Sequence, residues 1–353
     1  MARHRERGFS LLELMVSLAI LLVISSAAFL ALNQNQKVFV TNSTSGTMYA
    51  TVRSAAELIA QEIGQAGTLC GIASTSSGPA CVNAYLSGVS SATSITISSN
   101  QSFYLYPGEK LTIDPNSINR EVVQISTVSC YLCTTAAVGL QTALKKTHSS
   151  GTPPSAAPVT AQGVIWNGVV VPSVDPNTFL RYPTASPTEI VSNKLGLLGD
   201  INGDGTLMYV EYTCDFNSSQ LTRSISTVSV TSASFTKSTQ NDVLVDNLQF
   251  IAPSAYTNSF KYCFSFPLPT SVDVTNPNDS SVKTYPITPQ VSLLISVQSP
   301  NVDPQTGHQL KFTKSFLNLS PRNSVAALDD GSNNVWETLQ ELPPSVTSPW
   351  SLP

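Results

Sequence analysis

The sequence predicts an α+β protein: a long N-terminal α-helix, apolar in its first half, whose second half packs on an antiparallel β-rich head. Three observations carry this. Residues 9–32 form an apolar run without Pro or Gly and with one charged side chain, Glu13. Apolar residues then recur every three or four positions, at Met48, Val52, Ala55, Ile59, Ile63 and Ala66, the period of one helix face. From Thr68 onward that period is lost, and short β-rich runs alternate with turn residues.

The chain opens with a leader, residues 1–8, in which Arg3, Arg5 and Arg7 stand against Glu6. The run that follows, 9–32, is long enough to cross a hydrocarbon core of ~30 Å as a helix. Arginines ahead of such a helix stay on the cytoplasmic side, which directs the rest of the chain outward. A cleaved secretory signal is the competing reading, since residues 26–31 are small and Ala-rich. Glu13 argues for a more specific role. A carboxylate inside an apolar span costs ~2.5–3.5 kcal/mol on insertion scales and calls for a partner.

Residues 5–20, RERG-FSLLELMVSLAI, resemble the type III signal of type IV pilins and pseudopilins. The resemblance implies that a prepilin peptidase cuts after Gly8 and methylates Phe9, leaving the apolar segment on the mature protein. It also implies that Glu13 pairs with the free α-amino group of a neighbouring subunit's Phe9. That contact would turn an uncompensated buried charge into a paired one. A pilin-like fold, other pilins as partners and an inner-membrane stage before assembly follow from the same resemblance.

Beyond Leu32 the chain turns polar at residues 33–36, and the stretch 41–47 (TNSTSGT) predicts a weak or bent region of helix. The amphipathic half spans 33–67, with Glu57, Gln61, Glu62 and Gln65 assigned to other faces and Gly64 and Gly67 ending it. The head, 68–323, contains β-rich runs at 94–98, 103–106, 121–128, 164–171, 207–212, 224–235, 243–250, 260–266, 290–297 and 310–319. Pro-rich loops are expected at 147–161 and 171–187, and residues 324–353 read as a Pro-rich tail on the surface. Residues 54–71, 242–250 and 316–323 are similar to segments of PilW-type minor pilins: the helix end, a mid-domain strand and a closing strand ending in Arg-Asn. The insertion around Cys130 and the tail depart from that pattern. The GspJ-like minor pseudopilins of type II secretion share the signal, the Glu and the β head.

Of the 353 residues only 11% are charged, and the formal net charge is −4. Removing the leader's net +2 leaves −6, an acidic body that argues against nucleic-acid binding. Cys70, Cys81, Cys130, Cys133, Cys214 and Cys263 make an even count in a chain expected outside the cytoplasm, so disulfides are expected. Proximity favours Cys70–Cys81 and Cys130–Cys133, which leaves Cys214–Cys263 to staple two strands. A thioredoxin-like pair at Cys130 and Cys133 lacks the surrounding βαβ pattern, and zinc lacks further ligands at matching spacing.

Residues 200–211 fit the calcium-loop pattern D-x-[DN]-x-[DN]-G-x5-E. Asp200, Asn202 and Asp204 would converge on the ion, with the Thr206 carbonyl next and Glu211 closing the shell. The flank 207–212 is strand-like where an EF-hand has a helix, so Glu211 can point elsewhere and leave Asp215 or water to substitute. A plain Asn/Asp/Gly turn uses the same residues. His148 and His308 sit in no recognisable catalytic setting, so an enzyme is not expected. The function expected is a minor pilin-like subunit that primes, joins or caps a pilus. A pilus-tip adhesin and a type II secretion pseudopilin are the alternatives.

Overall fold

The computed structural model describes residues 10–72, 84–130, 132–166, 168–170, 189–202, 207–228, 240–250, 261–267 and 269–343. The predicted N-terminal helix is one unbroken element, α1 (Leu11–Gln65, 55 residues), about 80 Å long at 1.5 Å per residue. The stretch 41–47 does not interrupt it. The hydroxyls of Thr41, Thr47 and Thr51 each lie 2.9–3.0 Å from the carbonyl one turn back, so these polar groups are satisfied within the helix. Gly46 faces open space, where its cost is only the ~1 kcal/mol of an exposed helical glycine. Gly64 stays helical, and the turn-off comes at Gly67, whose φ of +83° is the left-handed region glycine tolerates.

Strands β1 (Thr68–Ile72), β2 (Ala84–Ser91), β3 (Ser94–Tyr104), β4 (Lys110–Ile113), β5 (Glu121–Val128), β6 (Leu132–Leu140) and β7 (Pro158–Ile165) follow. Next come β8 (Val169–Val170), β9 (Glu189–Ser192), β10 (Lys194–Gly199), β11 (Met208–Asp215), β12 (Gln220–Thr227) and β13 (Asp242–Asp246). The chain continues through β14 (Phe264–Pro267), β15 (Thr270–Thr275), β16 (Val282–Ile287), β17 (Val291–Val302) and β18 (Gln309–Leu319). It ends its described course with α2 (Arg322–Ser332) and β19 (Leu339–Gln340).

Among the described residues the β-rich head packs around several cores, of which two are large. β7, β2, β3, β6, β5 and β4 pair in that order, and β4 pairs back to β7, closing an antiparallel barrel. Val159 of β7 is flanked by Ala84 on one side and Ile113 on the other, which is the point of closure. Leu86, Ile97, Phe103, Leu111, Ile125 and Val138 fill its interior. The second core lies between α1 and two sheets, ordered β13-β12-β11-β10-β8 and β18-β17-β14-β9 and joined by the Leu248–Val297 bridge. β15 and β16 form a separate hairpin packed on α2. Among the described residues every ladder is antiparallel except that between β19 and β7.

Residues 324–343 are not the surface tail expected from composition. α2 buries Ala327, and Trp336 and Leu339 lie in a core with Val274, Tyr285 and Ile287. The segment is held by Lys110, 1% exposed, whose Nζ donates to the Trp336 and Leu339 carbonyls at 2.7 and 2.5 Å. The ammonium also stands 4.4 Å over the Trp336 ring. Gln340 brackets the same residue, accepting from its N–H and donating to its carbonyl (2.8 and 3.1 Å). Residues 344–353, with most of the prolines, lie outside the described residues.

Burial lowers the Lys110 ammonium to about 8, against Glu341, which raises it, and with Lys283, which lowers it further. The folded chain therefore holds this proton less tightly than the unfolded chain. Stability from Lys110 is lowest below pH 8 and rises as pH climbs toward 10.5, by at most about 3 kcal/mol. In urea unfolding from pH 7 to 10, Lys110→Met is expected to lose that rise; parallel profiles would contradict it.

Candidate functional site

Of the functional residues read from the sequence, Glu13 lies on α1, a helix with two environments. From Leu11 to Leu32 its large side chains are exposed, Leu11 at 77%, Phe29 at 68% and Leu30 at 71%. An 18-residue window here has mean hydropathy 2.5 and no burial, long and apolar enough to cross a membrane. Glu13 lies in the first turn, its N–H donating to the Ser10 carbonyl at 3.0 Å, and is exposed among these side chains. Gly8 and Phe9 lie outside the described residues.

The second half is seated in the head. Val52, Ala55, Ala56, Ile59 and Ile63 turn inward against Leu195, Leu197, Phe264, Leu293 and Ile295. All but Ala56 are periodic positions of the sequence; Met48 packs at the margin and Ala66 closes the row. Glu62, assigned from sequence to another face, is buried at 5% exposure. Its carboxylate is salt-bridged to Arg223 of β12 and accepts from the Tyr212 hydroxyl of β11. Arg223 Nε reaches the same carboxylate at 3.3 Å. Burial and the neighbouring Glu62 push the Tyr212 hydroxyl well above its ordinary range, so it remains a donor.

The helix end is capped from far away in sequence. The Asn323 amide donates to the Ala66 carbonyl and to Thr68 Oγ1, both at 2.9 Å. Gly67 N–H reaches the Leu198 carbonyl at 2.8 Å and its own carbonyl accepts from Ile165 at 3.0 Å. A Cβ on Gly168 would lie 2.1 Å from the Gly67 nitrogen, so backbone meets backbone here. No local pattern in the sequence points to Asn323 as a cap.

Cys214 of β11 and Cys263, just ahead of β14, form the expected disulfide and join the two sheets under α1. Cys130 and Cys133 are free thiols, not the expected disulfide. Cys133 already belongs to β6, and its Sγ points at the Cys130 and Thr135 carbonyls (3.5 and 3.1 Å). Burial, then the adjacent Cys130, pushes the Cys133 thiol up to about 11, which disfavours the reactive thiolate. Cys81 and the side chain of Cys70 lie outside the described residues.

Of the calcium-loop residues, Asp204 and Thr206 lie outside the described residues; Asp200 is buried and Asn202 is exposed beside Met208. Glu211 sits inside β11, paired with Gly196, while the turn itself is closed by Gly199 and Met208. That is three residues, or about 10 Å of strand, away from the loop. Its carboxylate accepts from Tyr209 at 2.7 Å and Lys194 at 3.2 Å. Asp215, the substitute weighed, is engaged by Asn217 N–H and Ser218 Oγ at the far end of the same strand. Glu211 and Asp215 therefore do not fit the twelfth position of a calcium loop.

His148, expected in a polar loop, is buried between two carboxylates. Nδ1 lies 2.7 Å from Asp114 and Nε2 lies 3.2 Å from Glu121. Both ring nitrogens are thereby used to brace the barrel's β4–β5 turn, and neither is presented as a general base.

Among known proteins, residues 3–29 match the model of the prokaryotic N-terminal methylation motif. No curated protein and no solved structure matches the chain.

Removing one partner of a buried ion pair strands the other, typically at about 3–5 kcal/mol. Glu62→Ala and Arg223→Ala are each expected to destabilise the detergent-solubilised chain by that order in urea. The double variant should cost less than the sum; additive losses would show that the pair is not coupled.

Proposed function

We propose that the chain is a minor type IV pilin-like subunit, most like the PilW type, that helps prime a pilus and is incorporated into it or caps it. The observation that carries this reading is the methylation motif on a helix that is apolar and exposed in one half and built into a head in the other. In this reading prepilin peptidase cuts after Gly8, and the chain waits in the inner membrane with its head in the periplasm. Assembly then moves residues 11–32 from lipid to other pilins, and Glu13 meets the Phe9 amine of a neighbour. The role of the head is to set which neighbours fit, so binding, not catalysis, is the activity.

The test is Glu13→Ala in cells. Membrane insertion is expected to be unchanged and recovery in sheared fibres to fall at least about tenfold, equivalent to 1.4 kcal/mol of assembly free energy. Incorporation at the normal level would remove the pairing from the account.

A second reading, a pilus-tip adhesin, draws on the barrel, which has its own core apart from α1 and so can carry loops for display. Pili that form normally without the protein yet fail to adhere would favour it.

Structural calcium is a separate proposal, resting on Asp200, Asn202, Asp204 and the Thr206 carbonyl without Glu211. Calcium is expected to raise the melting temperature and a chelator to reverse it, an effect lost in Asp200→Ala. An identical melt with and without calcium would end it.

A further inference from the structure

The β17–β18 hairpin runs down the side of α1 toward the apolar half. Two contacts set its direction. The Tyr49 ring meets Phe312 edge-on with centroids 5.2 Å apart, and two turns nearer the N-terminus Thr41 is hydrogen-bonded to Asp303. The turn beyond closes on itself: Gly307 N–H donates to the Asp303 carbonyl and Asp303 N–H to the His308 carbonyl, both at 2.9 Å. Val40 of α1 and Val302 of the hairpin line one small cavity of about 110 Å³. Three apolar side chains remain exposed at this level: Phe39 at 72%, Val302 at 59% and Val40 at 47%.

Because α1 is unbroken, the height of this patch above the apolar segment is fixed. Phe39 lies about 10 Å along the axis from Leu32. A bilayer of ~40–45 Å around a ~30 Å core leaves roughly 5–7 Å for each headgroup layer. The run 9–32 is about 36 Å long as a helix, several ångströms more than the core needs, and tilt or settling absorbs the excess. Leu32 then lies at the core edge and Phe39 just above the headgroup layer, where a side chain leaning toward the helix N-terminus reaches down into it. The charges fit such a surface. Lys37 on the helix is exposed, with His308 at the hairpin turn. The acid of the turn, Asp303, is buried and directed to Thr41 and to Thr306 N–H. The mature chain as a whole is acidic, so a basic rim here is a local feature.

We propose that the tip of the β17–β18 hairpin, with Phe39 and Val40, contacts lipid headgroups and seats the head on an anionic bilayer surface before assembly. The proposal rests on residues 9–32 spanning the membrane. Shallow burial of Phe39, Val40 and Val302 supplies the apolar part, and Lys37 attracts anionic headgroups. Continuity with the spanning helix keeps the tip at the surface without a further anchor. Entry into a fibre would strip this contact along with the lipid around α1.

The test places p-benzoylphenylalanine at Val302 in the full-length protein. It is reconstituted in vesicles of phosphatidylcholine with phosphatidylglycerol, irradiated, and the products are read by mass spectrometry. A lipid adduct at 302 is expected, several-fold weaker in phosphatidylcholine alone and in the Lys37→Glu variant. The same probe at Ile20 should take lipid in both vesicles, and at Val243, 47% exposed on β13, in neither. A crosslink from 302 to a second copy, or no adduct at 302 while Ile20 is labelled, overturns the proposal. Absence of lipid at Ile20 overturns the spanning reading itself, and the proposal with it.

Discussion

Glu62 ties α1 to the head, and much of the architecture follows from having to satisfy it. The small apolar face of Val52, Ala55, Ala56, Ile59 and Ile63 packs without strong directional preference. A buried carboxylate is different, because it needs Arg223 and Tyr212 in place and at one helical rotation. Sliding the helix by one turn, ~5.4 Å, would leave all three groups buried and unpaired. The interaction therefore fixes how far the exposed half of α1 projects from the head. Asn323 and Gly67 fix the other end, where the helix stops against β7, β8 and β10.

That rigid seat lets one helix serve two surroundings. Its first half is exposed and apolar enough to cross a membrane, and its second half is part of the largest core among the described residues. The Cys214–Cys263 bridge reinforces the same region: closing a sequence separation of 49 is worth about 4 kcal/mol in the chain-entropy account. The barrel has its own core and the Asp114–His148–Glu121 brace, and it meets the helix end through β7.

What the sequence disclosed and what it hid have physical reasons. The helix was legible because its period and its apolar run persist over many turns, and the Cys214–Cys263 staple because proximity left those two together. The bend expected at 41–47 reflects intrinsic propensity, but α1 runs through it unbroken, with the Thr41 and Thr47 hydroxyls bonded to carbonyls one turn back. β2, β6 and the β15–β16 hairpin were missed because AYLSGVSS, LCTTAAVGL and TSVDVT mix Ser, Ala, Gly and Asp into strand positions. Barrel closure depends on β4 meeting β7, a long-range pairing with no local signal. Glu62, Lys110, His148 and Asn323 are polar residues whose partners lie 27 to 258 positions away, so nothing local in the sequence marks their roles. Glu211 matched a spacing, but the strand register takes it from the turn.

The central claim is that the exposed apolar half-helix is a processed assembly segment and not a permanent anchor or a discarded signal. Intact mass with N-terminal sequencing of the protein from sheared surface fibres and from membranes tests it most directly. The account predicts a chain beginning at N-methylated Phe9 in both fractions, at low abundance in the fibres. A chain beginning at Met1 and confined to membranes, or one beginning beyond Ala27, would contradict it.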